Sequence, residues 1–243
     1  MSIHFIIFCV FLATVAVVTW WVLSGRARLP AIQTAADQPI AFGYKVSWLA
    51  VQSEDPAEVA ATLARVDPRF GKTSFQACNW ASGMARIHAN FLNREVFVSP
   101  PVNGWVFVVN YQPANEDGTV INLLLSELSK SGRAGYFGSH RVVSFAAWAL
   151  AQDGTFLRHM AEADGNTYVD FGEITEFERA DLMTSAQLQD IDMDTVDPED
   201  EDALYDRLPD EADVIAVATA FSMDPTQLNG HSTSGVGLIG RPR

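Results

Sequence analysis

The sequence predicts an α+β fold, an antiparallel sheet with helices packed on one face, preceded by one transmembrane helix. Three observations lead to it. Residues 5–25 form a run of 21 without a charge. Between 44 and 138, β-prone runs alternate with amphipathic helical patterns. Beyond 140, Asp153-Gly154 and Asp164-Gly165 separate three further runs in the manner of hairpin turns.

The uncharged run, FIIFCVFLATVAVVTWWVLSG, makes a helix about 30 Å long at 1.5 Å per residue, which matches a bilayer's hydrocarbon core. Trp20 and Trp21 stand near its end, where indole rings favour the headgroup boundary. A buried core helix rarely runs so long without a charge. A cleaved signal peptide is the rival reading, but it would carry Lys or Arg before the run and a small-x-small site after it. The chain instead begins Met-Ser-Ile-His. Arg26 and Arg28 follow the run and no Lys or Arg precedes it, so the positive-inside rule puts the remainder on the cytoplasmic side, with the periplasmic side as the alternative. The expected organisation is a transmembrane anchor at 1–25, a juxtamembrane linker at 26–40 and a single α+β domain at 41–243.

Within that domain, 44–51 alternates as a strand does. Asp55-Pro56-Ala57-Glu58 then opens a helix, with a capping carboxylate, Pro at the first helical position and Glu three residues after the cap. Val59, Leu63 and Val66 give it one apolar face. A second helix is expected over 79–91 from Trp80, Met84, Ile87 and Phe91, although Gly83 weakens it. Strands follow at 95–99 and 105–110, joined by PPVNG with its Asn-Gly turn. VFVV at 106–109 is continuously apolar, as in a strand covered on both faces. Thr119 is the expected cap of a helix carrying Ile121, Leu124, Leu125 and Leu128, and Gly132 is its stop. Strands at 134–138, 142–150, 155–161 and 166–171 complete the set. The first six elements run β-α-β-β-α-β, the order of a ferredoxin-like unit, with a hairpin extension behind it.

Residues 190–213 carry twelve Asp or Glu against one Arg and read as a solvated acidic loop. Residues 212–221 form a helix returning to the core, and the tail HSTSGVGLIGRPR reads as Gly-rich and loosely structured. The net charge of −14 disfavours nucleic acid and anionic lipid as partners and leaves basic proteins, cations or plain solubility. The two cysteines, Cys9 in the apolar run and Cys78 alone in the domain, offer neither a structural disulfide nor a Cys-x-x-Cys metal site.

Candidate chemistry is sparse. Ser139-His140-Arg141 invites a hydrolase reading, but no nucleophile elbow or oriented base accompanies it, so ordinary loop residues are the better reading, with His140 and Arg141 kept as candidate binding residues. Gly132, Gly135 and Gly138 lack the following helix that a phosphate cradle needs. Asp190, Asp192, Asp194 and Glu201 fall at calcium-loop positions, yet Thr195 replaces the turn glycine and Pro198 intrudes. The five histidines, His159 among them, show no zinc spacing. Trp80, Trp105 and Trp148 occur in apolar elements and read as core, with Trp80 retained as a candidate binding residue. No cofactor and no metal is expected.

Several stretches taken together carry a resemblance: KVSWLAVQSEDPAEVAATL, Asn79-Trp80-x-x-Gly83, VFVSPPVNGWVFVV, YFGSHRVVSFAAWALAQDG, LPDEADVIAVATAFSMDPTQL and GLIG. In that order they resemble a widespread family of uncharacterised bacterial proteins, over most of 43–240. The resemblance implies a bacterial origin and one globular unit; the N-terminal anchor is not part of the pattern, and in a bacterium the uncharged run at 5–25 is expected in the inner membrane. It implies no activity or ligand.

The function expected from these features is a membrane-anchored, non-enzymatic protein-binding domain. Its concrete forms are an immunity protein or a secretion-associated adaptor for a basic partner. The alternatives are a hydrolase-type enzyme with a polar site near His140 and Arg141, or a structural envelope component.

Overall fold

The computed structural model describes residues 29–89, 94–113 and 118–242. The predicted anchor at 5–25 lies outside them, and no helix among the described residues is long and apolar enough to cross a membrane.

The fold is α+β, built on one nine-stranded antiparallel sheet. In chain order the elements are β1 (Ser47–Gln52), α1 (Pro56–Val66), β2 (Gln76–Cys78), α2 (Trp80–His88), β3 (Val96–Val98), β4 (Trp105–Val109), α3 (Thr119–Leu128) and β5 (Arg133–His140). There follow β6 (Phe145–Gln152), β7 (Thr155–Ala163), β8 (Asn166–Phe171), α4 (Ser185–Gln189), α5 (Glu201–Tyr205), α6 (Glu211–Phe221) and β9 (Gly237–Gly240). The sheet order is β2-β9-β3-β4-β1-β5-β6-β7-β8.

The expectation of helices on one face is corrected. Helices α1 and α3 bury Val59, Leu63, Ile121 and Leu124 against Leu49, Val51, Val106 and Val108. On the opposite face α2 and α6 bury Trp80, Met84, Val214 and Phe221 against Trp48, Phe97, Phe107 and Trp148. The cause lies in the central strands: in β1 and β4 consecutive residues point to opposite faces and are apolar on both, so each face requires a cover. The register aligns one cross-strand row through all nine strands, Gln76–Ile239–Phe97–Val109–Trp48–Phe137–Trp148–Met160–Asp170.

Local signals account for most boundaries. Asp55 accepts from the amides of Ala57 and Glu58 and starts α1. The turns Asn103-Gly104, Asp153-Gly154 and Asp164-Gly165 have left-handed φ at both residues, as tight hairpins of the right twist require. Gly83 lies under the Phe97 ring, where a Cβ would collide, so the glycine in α2 is a packing requirement.

Other expectations change. Gly118, not Thr119, holds the cap position of α3, with φ +71°. The tail expected to be loose contains β9, which pairs with both β2 and β3. The acidic stretch is broken by a 3₁₀ turn at Met193–Thr195, where Asp192 accepts from the Asp194 amide, by α5 and by the start of α6. Upstream, residues 30–37 lie along α2: the Asp37 carboxylate takes the amides of Trp80 and Ala81, and the Pro30 carbonyl accepts from Arg86.

Candidate functional site

The sheet face carrying α1 and α3 has one stretch of small side chains. Ser47, Gly138, Ala147 and Ala161 stand opposite one another across β1, β5, β6 and β7. Small residues on a pleated surface leave room that larger ones would fill. Helix α3 packs on these strands, and its first residues lie against β7: a Cβ added to Gly118 would overlap the His159 ring. A cleft opens beside that contact.

The cleft has two halves that share Pro113, Tyr136 and Phe145. The larger, about 450 Å³, has Ala147, Ala161 and Ala163 as small lining residues and is bounded by Ile121, His159 and Tyr168. The smaller, about 350 Å³, is lined by Lys45, Ser47, Ser139 and His140. Volumes of this size fall within the range of small-ligand sites.

His159 is 3 % exposed. Its Nδ1 lies 3.1 Å from the Asn122 amide oxygen, which can only accept, so the imidazole carries its proton there. Burial, with a smaller contribution from the positive charge of Arg158, pushes the His159 pKa down to about 4. The ring is therefore neutral at physiological pH. Tyr136, also buried, has its phenol pushed up to about 12 by desolvation and stays protonated.

Behind His159, on the other face of β7, Arg158 is buried between two carboxylates. Its Nε donates to Glu178 and its Nη1 to Asp170, at 3.2 and 2.5 Å. Nη1 also donates to the carbonyls of Phe171 and Gly172 and ties the chain after β8 to the sheet.

The sequence-predicted residues are dispersed. His140 ends β5, exposed, in the smaller half of the cleft. Arg141 lines a separate cleft with Glu162, Tyr205, Asp210 and Glu211. The Ser139 hydroxyl donates to the Glu211 carboxylate at 2.9 Å, so its partner is an acid and not an imidazole. Trp80 is wholly buried, its ring 5.2 Å from that of Phe97, and borders neither cleft. Asp190, Asp192, Asp194 and Glu201 are exposed along the acidic segment. Among the described residues no three His, Cys, Asp or Glu side chains converge as metal ligands do.

Of the twelve carboxylates in 190–213, only Asp213 forms an ion pair among the described residues, with Arg179 at 2.8 Å. The segment's single arginine, Arg207, donates to the Asp181 carbonyl. Among the described residues the remaining eleven carboxylates thus have no ion-pair partner.

Sequence reasoning missed His159, Asn122, Tyr136 and Tyr168 as a group. Alternation in TFLRHMAEA does place His159 with Ala161 and Ala163 on one face. The partner Asn122 is 37 residues away, and nothing local announces it. Comparison of the chain with protein-family models, with curated proteins and with solved structures finds no match.

Proposed function

We propose that this chain is a non-enzymatic protein-binding module, held at a membrane by residues 5–25, that captures a basic partner on the acidic segment 190–213. An immunity protein or a secretion-associated adaptor has these properties. The observation that carries the reading is the exposed row of carboxylates that have no ion-pair partner among the described residues. Such a surface repels itself and gains from a positive partner, whose approach it also accelerates. Tyr205, half exposed within the segment, supplies an aromatic contact of the kind that anchors interfaces. Arg26 and Arg28 favour the cytoplasmic side of a bacterial inner membrane.

We also infer that β1, α1, β3, β4, α3 and β5 constitute a ferredoxin-like βαββαβ unit, with β6 to β8 as its extension. The sheet order β3-β4-β1-β5 and the packing of α1 and α3 on the same face support this reading.

The test is a pull-down of the detergent-solubilised full-length protein from its host at low and high salt, with bound proteins identified by mass spectrometry. A parallel variant carries Asn or Gln at 190, 192, 194, 197 and 199–202. The expected result is one stoichiometric basic partner, lost at high salt and lost by the neutralised variant. A partner retained by that variant, or none at either salt, overturns the proposal.

A further inference from the structure

We propose that the cleft between the β5–β6 turn and the start of α6, about 510 Å³ in volume, binds an arginine side chain, through which the basic partner is anchored. The identity of the partner rests on the acidic-surface reading; the site itself is argued from its own lining.

Three observations specify an arginine. The first is a buried carboxylate without a cation. Glu162 is 4 % exposed and lines the cleft. The Ser185 amide donates to its Oε2 at 3.0 Å, but no Lys, Arg or His pairs with it among the described residues. Burial, and to a smaller degree the charge of Asp170, pushes this carboxyl up from its ordinary value. Buried charges are ordinarily paired, so a cation in the cleft supplies the counter-charge.

The second is the spread of the acceptors. Asp210 and Glu211, at the start of α6, line the same cleft and likewise have no ion-pair partner among the described residues. The three carboxylates do not converge as metal ligands do. Acceptors set apart around a cleft suit the five donors of a planar guanidinium better than a metal ion or the compact ammonium of lysine. The third is the walls. Half-exposed Tyr205 and Phe145 offer ring surfaces on which a guanidinium stacks, and Leu208 adds apolar surface for the methylene stem.

Tyr205 closes α5, so the cleft is continuous with the acidic segment, and a partner drawn to 190–202 arrives beside it. Arg141, exposed in the β5–β6 turn, also lines the cleft and forms no ion pair with the three carboxylates. Its charge opposes a second guanidinium. A zwitterion would instead use it to hold a carboxylate.

The experiment titrates the detergent-solubilised full-length protein with N-acetylarginine N-methylamide, whose guanidinium is its one charge, by calorimetry and ligand-observed NMR at low salt. Comparison probes are the same derivatives of lysine and citrulline, and N-acetylarginine, which carries a free carboxylate. The arginine amide is expected to bind with a dissociation constant below about 5 mM and more tightly than the other three. Glu162→Gln, which keeps an oxygen for the Ser185 amide and removes the charge, is expected to weaken it about tenfold. Arg141→Ala is expected to strengthen it about twofold. The variant neutralised at 190, 192, 194, 197 and 199–202 keeps all three cleft carboxylates and should bind the arginine amide within about threefold of the wild type. Should Glu162→Gln fail to fold, Tyr205→Ala replaces it: the tyrosine is half exposed on the short helix α5, and its loss is expected to weaken the arginine amide about threefold. In the pull-down, Glu162→Gln should release the partner at lower salt than the wild type does.

The proposal is overturned if the arginine amide does not bind at about 5 mM, if the lysine or citrulline probe binds as tightly, or if N-acetylarginine binds more tightly. It is equally overturned if Glu162→Gln leaves the affinity unchanged, or if the variant neutralised at 190–202 loses the probe. The titration needs no partner. A probe that fails while a partner is still captured therefore overturns the cleft alone, and a probe that binds while no partner is captured overturns the acidic-surface reading and leaves the arginine site standing.

Discussion

The amide oxygen of Asn122 and Nδ1 of His159 stand 3.1 Å apart, joining the first turn of α3 to the middle of β7. The contact selects one tautomer of a buried imidazole. Protonating Nε2 would place a charge in a buried site beside the Arg158 guanidinium.

That arrangement makes stability depend on pH. The folded pKa of His159, about 4, lies below its unfolded value of about 6.5, so the unfolded chain binds the proton more readily. The contribution is fully present above pH ~6.5 and is lost as the pH falls towards 4, with an upper size of about 3 kcal/mol. Urea unfolding of the wild type and of His159→Gln between pH 4 and 7 measures it. The wild type should lose more stability across that window than the variant. Parallel losses would show that His159 is not the titrating group.

Arg158 and Glu178 form a buried pair on the opposite face of the same strand. Arg158→Met leaves the Glu178 carboxylate without its cation and should cost about 3–5 kcal/mol. The double change with Glu178→Leu should recover a large part of that loss, since the uncompensated charge is then gone. Thermal unfolding of the three proteins decides the point; a double variant no more stable than Arg158→Met contradicts it.

The indole N–H groups of Trp48 and Trp148 are buried and have no acceptor among the described residues. Trp148→Phe therefore gives up ring volume but no hydrogen bond. It should cost clearly less than Trp148→Ala, for which a loss of about 3–5 kcal/mol is expected. Denaturant unfolding compares them, and equal losses would mean that the N–H is satisfied in solution.

Asp37 takes the first two amides of α2, those of Trp80 and Ala81. Asp37→Ala should destabilise the domain by about 1 kcal/mol. Hydrogen exchange should meanwhile rise at α2 and not at α1, which has its own cap in Asp55. Uniform exchange in the variant would argue that residues 30–37 do not hold the helix.

The elements legible in the sequence are those whose cause is local. Asp55-Pro56 starts α1 and Asp164-Gly165 turns β7 into β8, because a cap or a left-handed turn needs only a few neighbouring residues. Strands β2 and β9 escape notice for the converse reason. Three or four residues carry no readable period, and Gly-Leu-Ile-Gly becomes a strand only between β2 and β3. The acidic segment was visible as composition. Whether its charges are paired depends on where Arg179 and Arg207 come to lie.

By itself the sequence determined the α+β class, most strands, the hairpin turns, the strong negative charge and the uncharged run at 5–25. It even contained, in the unbroken apolar run VFVV, the requirement for cover on both faces of the sheet. Only the tertiary structure decided that α2 and α6 provide the second cover, that small residues from four strands align in one row, and that Asn122 meets His159. Those outcomes depend on strand register and on contacts between residues far apart in the chain, whereas caps, turns and periodicity act over a few residues.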